Sequence, residues 1–228
     1  MTSGVPAQLG DRPLNPQIVS SSRRFQGHVW DVVTDVVKLA DGQRVERDVQ
    51  RHPGAVGIVA VDDELQMLLV YQYRHPVAAM LWEPPAGLLD VEGEAPLVAA
   101  ARELFEEAGY RAAQWSVLLD VFMSPGGSDE SVRLFLARGL TQVDAAERHV
   151  GEGEERDMPI QWIGLAEARA LVLAGELHSP LVVMGTLAAA AVLVDGVAVS
   201  RPVGASWMRG GPLTDDSRRY VIAADGTQ

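Results

Sequence analysis

Within the stretch AARELFEEAGY, residues 100–110, three glutamates crowd together: Glu103, Glu106 and Glu107, with Arg102 beside them. Leu97, Ala100, Ala101, Leu104 and Ala108 recur at helical spacing and predict an amphipathic helix over 96–108. Pro96 suits its first turn, and Gly109 its left-handed cap. At about 100° per residue the three acids share one face of the last two turns. That end of a helix carries partial negative charge, which disfavours each carboxylate by roughly 0.3–1 kcal/mol. Like charges at these spacings cost a further ~0.2–0.5 kcal/mol per pair. Arg102, four residues before Glu106, offsets part of this repulsion. The acids are either a solvated surface or a site for a hard divalent cation such as Mg²⁺ or Mn²⁺, which oxygen ligands hold beside substrate phosphates. The unfavourable helix pole and the Gly/Pro-rich loop before the helix favour the cation.

The elements that must present this helix are legible in outline. The 228 residues, 47% hydrophobic, suffice for one well-filled core. Residues 1–27 read as a loose arm rich in Pro, Gly and Ser. HVWDVVTDVVKL and QRVERDVQRH flank Asp41-Gly42 and predict a hairpin over 28–52. Strands are expected at 54–62, 67–74, WSVLLDVFM, VRLFLAR and 158–164, with further helices near 165–174 and 180–194. EPPAGLLDVEGE, residues 83–94, reads as a loop, and 196–228 as an irregular tail. The sum is a mixed α/β layered domain over 53–195.

Composition excludes several functions. A formal net charge of −12 without a basic stripe disfavours nucleic-acid partners. The chain has no cysteine, hence no disulfide, thiolate zinc site or cysteine nucleophile. No G-x-S-x-G elbow occurs, so water is the expected nucleophile. The N-terminal residues lack an apolar signal core, and the longest apolar run, 181–194, is too short for a bilayer span. The expectation is a cytoplasmic protein that does not enter membranes.

GLLDVEGEAPLVAAARELFEEAGY, residues 87–110, resembles the Nudix box, G-x5-E-x7-R-E-U-x-E-E-x-G-U with U a bulky apolar residue. Every fixed position from Glu94 to Tyr110 fits, and one extra residue lies between Gly87 and Glu94. Pro125, sixteen residues beyond Gly109, together with YQYRHP and LWEPPAGLLD, is similar to the ADP-ribose pyrophosphatase subgroup. The resemblance implies a Nudix-type α/β/α sandwich around a mixed β-sheet, and metal-dependent hydrolysis of a nucleoside diphosphate linked to another group. It implies ADP-ribose, or a related nucleoside diphosphate sugar, split to AMP and ribose 5-phosphate. GDP-mannose or another nucleotide sugar is the alternative within the family, and a non-catalytic nucleotide-sensing module is the alternative of another class. The presence of all four residues Arg102, Glu103, Glu106 and Glu107 favours an enzyme.

Roles follow from the same resemblance. Glu103 and Glu107 would ligate the metal, Glu106 would be a ligand or bridge, and the Ala86 carbonyl would complete the set. Arg102 and Glu94 would orient those carboxylates. The general base would come from GEGEERDM, residues 151–158, with Glu155 the best match and Glu154 the runner-up. Family members of this type are usually homodimers joined through their N-terminal strands. A diphosphate also calls for arginine, whose fork reaches two oxygens at once. Arg74 and Arg47 are the candidates, and Pro125 is assigned to substrate binding as well.

Overall fold

The computed structural model describes residues 9–144, 146, 149, 158–197 and 201–209. Chain contacts divide it into two compact units, Met1–Pro53 with Phe122–Ser131 and Trp207–Val221, and Gly54–Val121 with Val132–Ser206 and Ile222–Gln228.

The first unit is built on an antiparallel sheet in which β1 (Gln17–Gln26) pairs with β2 (Asp31–Lys38) and β2 with β3 (Arg44–Arg51). The β2–β3 turn is set by Gly42, at φ 87°, and by Asp41, whose Oδ1 accepts the Gln43 N–H at 3.0 Å. β1 corrects the expectation of a loose arm over 1–27. Its residues are almost all exposed, so no apolar alternation marks it, and its ladder to β2 holds it instead. The 122–131 turn belongs to this unit too. Asp129 accepts the His52 N–H at 2.8 Å and pairs with Arg51, which also binds the buried Asp35 at 2.6 Å.

In the second unit β4 (Ala55–Ala60) is wholly buried, as a central strand must be. It runs parallel to β9 (Ser131–Gln142) and antiparallel to β7 (Ala86–Leu88), and β8 (Tyr110–Phe122) completes the order β7-β4-β9-β8. A second sheet, antiparallel, has the order β10 (Ile160–Gly164), β5 (Gln66–Arg74), β6 (Ala79–Glu83). The strands therefore fall into several sheets, of which the β4 sheet is the mixed one. The expected 83–94 loop contains β7, which exists through its register with β4, Ala55↔Leu88 to Gly57↔Ala86. A partner so distant in the chain leaves no local trace.

Helix α1 (Pro96–Ala108) packs Ala99, Ala100, Leu104 and Ala108 into a core shared with Val56, Ile58, Leu68, Val70 and Phe135. Its buried stripe is rotated slightly from the expected one: Ala99 is buried and Ala101 exposed. Helices α2 (Leu165–Ala174) and α3 (Pro180–Leu193) follow. At Gly185 of α3 a Cβ would lie 2.7 Å from Val59 Cγ2, so only glycine lets the helix approach β4 this closely. No helix among the described residues is long and apolar enough to cross a membrane.

The described part of the expected irregular tail has no helix or strand of its own, yet it is fastened to the sheet. Residues 201–206 dock on β8, with a Val117 N–H to Arg201 O bond of 2.9 Å. Arg133, 1% exposed, binds Asp120 through two N–H bonds of 2.7 and 3.0 Å and donates to the Ala205 carbonyl at 3.0 Å. Arg201 joins Asp120 at 2.9 Å. Asp120→Ala leaves a buried guanidinium without its carboxylate, so it should cost about 3–5 kcal/mol in urea unfolding.

Candidate active site

α1 ends where Gly109 turns left-handed, φ 69°, and returns its N–H to the Leu104 and Phe105 carbonyls. No basic residue occupies the last turn. The balancing cation comes from the middle of the helix. Arg102 grips Glu94 with Nε and Nη2 at 2.9 and 3.0 Å, and its Nη1 donates to Glu103 at 2.7 Å and Glu106 at 3.0 Å. Helical spacing pairs Arg102 with Glu106, and the resemblance sets it beside Glu94; in the structure the guanidinium serves both and Glu103 as well, because Glu94 on the preceding loop folds back over the helix.

The other partner is backbone. Glu107 accepts the Ala86 N–H at 3.0 Å. Glu103 lies against Gly87 so closely that a Cβ built there would meet its carboxylate Oε1 at 2.0 Å. Any side chain at 87 would evict Glu103. Pro84 and Pro85, both buried, stiffen the approach to this point, and the Pro85 carbonyl accepts the Ile58 N–H at 2.8 Å. The 86–87 backbone and the acids of α1 thus meet across β7.

Electrostatically the cluster is arranged around one guanidinium. The hydrogen bonds from Arg102 hold the Glu94 carboxyl below the usual carboxylate value, against an opposing effect of burial. The same bonds, chiefly those to Glu94, hold Arg102 above the ordinary guanidinium range, so it stays charged throughout. Among the described residues no three His, Cys, Asp or Glu side chains are grouped as a metal site. The sequence reading gathered Glu103, Glu106 and Glu107 in one such set. Here Arg102 draws an oxygen of Glu103 and of Glu106, while Glu107 reaches the Ala86 amide. All donors present are nonetheless carboxylate or carbonyl oxygens, and the chemistry of that set suits a hard divalent cation.

The remaining candidates are distributed. Arg74, at the end of β5, forms a two-pronged pair with the buried Glu83, at 3.0 and 2.6 Å. Sequence reading passed over Glu83; its position directly before Pro84-Pro85, with an arginine at the far end of the neighbouring strand, was the available signal. Arg47 and Pro125 belong to the other unit. Arg47 is exposed and donates to the Glu46 carbonyl at 2.9 Å. Pro125 sits exposed in a turn closed by Ser128 N–H to Ser124 O at 2.9 Å. Glu154 and Glu155 lie outside the described residues.

An acid-bearing helix end laid on a proline-stiffened glycine strand is architecture for handling phosphate with a divalent cation. The chain belongs to the Nudix family, whose NUDIX domain matches residues 51–182. It is 45% identical over 192 residues, 84% of this chain and 91% of the relative, to an ADP-ribose pyrophosphatase of Mycobacterium tuberculosis. It is 34% identical over 167 residues, 73% of this chain and 88% of the relative, to an ADP-ribose pyrophosphatase of Bacillus subtilis. A crystal structure of an ADP compounds hydrolase superposes with a TM-score of 0.66 at 21% identity, over 83% of this chain and all of that one, and shares its fold. Nudix hydrolases in general need divalent metal ions.

Two outcomes follow. Gly87→Ala should displace Glu103 and weaken Mn²⁺ binding, read by isothermal titration, with little change in far-UV circular dichroism. The Glu94 carboxyl titrates lower in the folded chain than unfolded, so the stability it contributes is complete above about pH 4.5 and disappears as pH falls through the folded value. The stability gap between the parent and Glu94→Gln, measured by urea melts from pH 7 downward, should close on that acid side.

Proposed function

We propose that this chain hydrolyses ADP-ribose, or a closely related nucleoside diphosphate sugar, to AMP and ribose 5-phosphate. The observation that carries the reading is the meeting of Glu103 and Glu107 with the Ala86–Gly87 backbone. Its support is the Nudix family, the ADP-ribose pyrophosphatase relatives, and an arginine on the same side of the sheet as α1. Side chains of Leu68, Val70, Gln72 and Arg74 share one face of β5 by alternation, and Leu68 and Val70 pack in the core with Ala99, Ala100 and Leu104 of α1.

The Ala86 carbonyl with Glu103, Glu106 and Glu107 would hold Mg²⁺ or Mn²⁺, which when bound lowers the pKa of water and neutralises charge on the phosphates. Arg102, held by Glu94, orients Glu103 and Glu106, and the Ala86 amide orients Glu107. Arg74 binds the diphosphate. Water attacks one phosphorus; one P–O bond forms as the bridging P–O bond breaks, and the departing phosphate keeps the bridging oxygen. Glu155, with Glu154 the alternative, takes the proton of the water. The chain works as a homodimer joined through the β2–β3 hairpin, at whose entry Val29 and Trp30 are exposed apolar residues.

With ADP-ribose and Mg²⁺ the purified protein should release AMP, and GDP-mannose should release GMP far more slowly. Glu107→Gln should lower kcat by more than about a hundredfold with the fold intact. Preferential cleavage of GDP-mannose would overturn the substrate, and unchanged Glu107→Gln turnover the metal site. Light scattering should give twice the 24.5 kDa mass of one chain.

A further inference from the structure

Glu83 is a carboxylate where the fold has no packing need for one. It is 4% exposed, at the end of β6, and both of its oxygens are taken by Arg74. The two residues are not opposite each other in the ladder: Arg74 faces Ala79, and Glu83 faces Val70. Arg74 therefore lies back along the sheet, on the α1 side, to reach a partner four registers away. Its side chain is 41% exposed, against 5% for that of Glu83. A half-exposed arginine, rich in rotamers, is thus clamped by a buried and immobile acid.

The acid end of this clamp is tied to the site. Glu83 is followed directly by Pro84 and Pro85, whose rings fix φ, and then by Ala86, whose amide Glu107 receives. A continuous run of contacts leads from the Arg74 fork through Glu83 and two prolines to Ala86 and Glu107.

We propose that Glu83 is a positioning residue for diphosphate recognition: by clamping Arg74 it holds the guanidinium at a set distance from the Ala86–Glu107 end of the site. This rests on Arg74 being a substrate contact. The clamp removes the rotamer entropy that a mobile arginine would lose on binding, so its effect falls on substrate affinity. Glu83 itself touches no substrate.

The test is steady-state kinetics with ADP-ribose and saturating Mg²⁺ on Glu83→Ala, Glu83→Gln, Arg74→Ala and the Glu83→Ala/Arg74→Ala double variant. Loss of a charge-assisted contact should raise KM roughly ten- to a hundredfold in Arg74→Ala, and by roughly tenfold in Glu83→Ala. Glu83→Gln, which keeps the shape and one acceptor oxygen, should lie between the parent and Glu83→Ala. The double variant should be no worse than Arg74→Ala alone, because the acid acts only through the arginine. A purely structural ion pair would lower the folding midpoint and the active fraction without moving KM. An unchanged KM in Glu83→Ala, or multiplying effects in the double variant, overturns the positioning role while Arg74 stands. An unchanged KM in Arg74→Ala removes Arg74 as a contact and this proposal with it. Should Glu83→Ala not fold, Glu83→Gln carries the same comparison, and an unmoved KM there overturns the role.

Discussion

One guanidinium makes the acidic end of α1 tenable. Glu103, Glu106 and Glu107 sit where the helix dipole opposes them, and Glu94 adds a fourth carboxylate from the loop above. Arg102 places its planar fork among them and bonds Glu94, Glu103 and Glu106 at 2.7–3.0 Å. A lysine, a point charge with three donors, could not hold two oxygens of Glu94 in one plane while reaching the others. The loop return and the directions of Glu103 and Glu106 depend on that contact, while Glu107 is held by the Ala86 amide.

A second constraint is steric. The backbone has to come near enough for its polar groups to face the glutamates, and at Gly87 any Cβ would collide with Glu103. β7 achieves this approach through its three-residue register with β4, and the two prolines before it stop the strand from relaxing away. Small residues repeat the device in the core. Ala99, Ala100 and Ala108 let α1 lie close against the strands, and Gly185 lets α3 do the same at Val59.

Ion pairs inside the two units do further work of the same kind. Arg133 and Arg201 on Asp120 fasten residues 201–206 to β8 in one. Arg51 between Asp35 and Asp129 fastens the Pro125 turn to β3 in the other. Such buried pairs add little net stability compared with apolar packing, but removing one partner strands the other, and so they specify which segments meet.

Local chemistry alone decided a good deal. The spacing of Leu97, Ala100, Leu104 and Ala108 predicted α1 with its bounds, because helical period and the Gly109 cap are local properties. The hairpin at Asp41-Gly42 and the strands rich in Val and Leu were legible for the same reason, as was the grouping of acids around Arg102. What depended on distant partners was not. β1 has no apolar face and exists through its ladder to β2; β7 exists through β4; the 201–206 segment exists through Asp120 and Arg133. Only the tertiary structure added Glu103 to the carboxylates that Arg102 holds, set Gly87 beneath Glu103, and gave Arg74 its partner in Glu83. A periodic pattern records which face of an element is buried; which residue waits on the other side of that contact is settled only when the chain has closed upon itself.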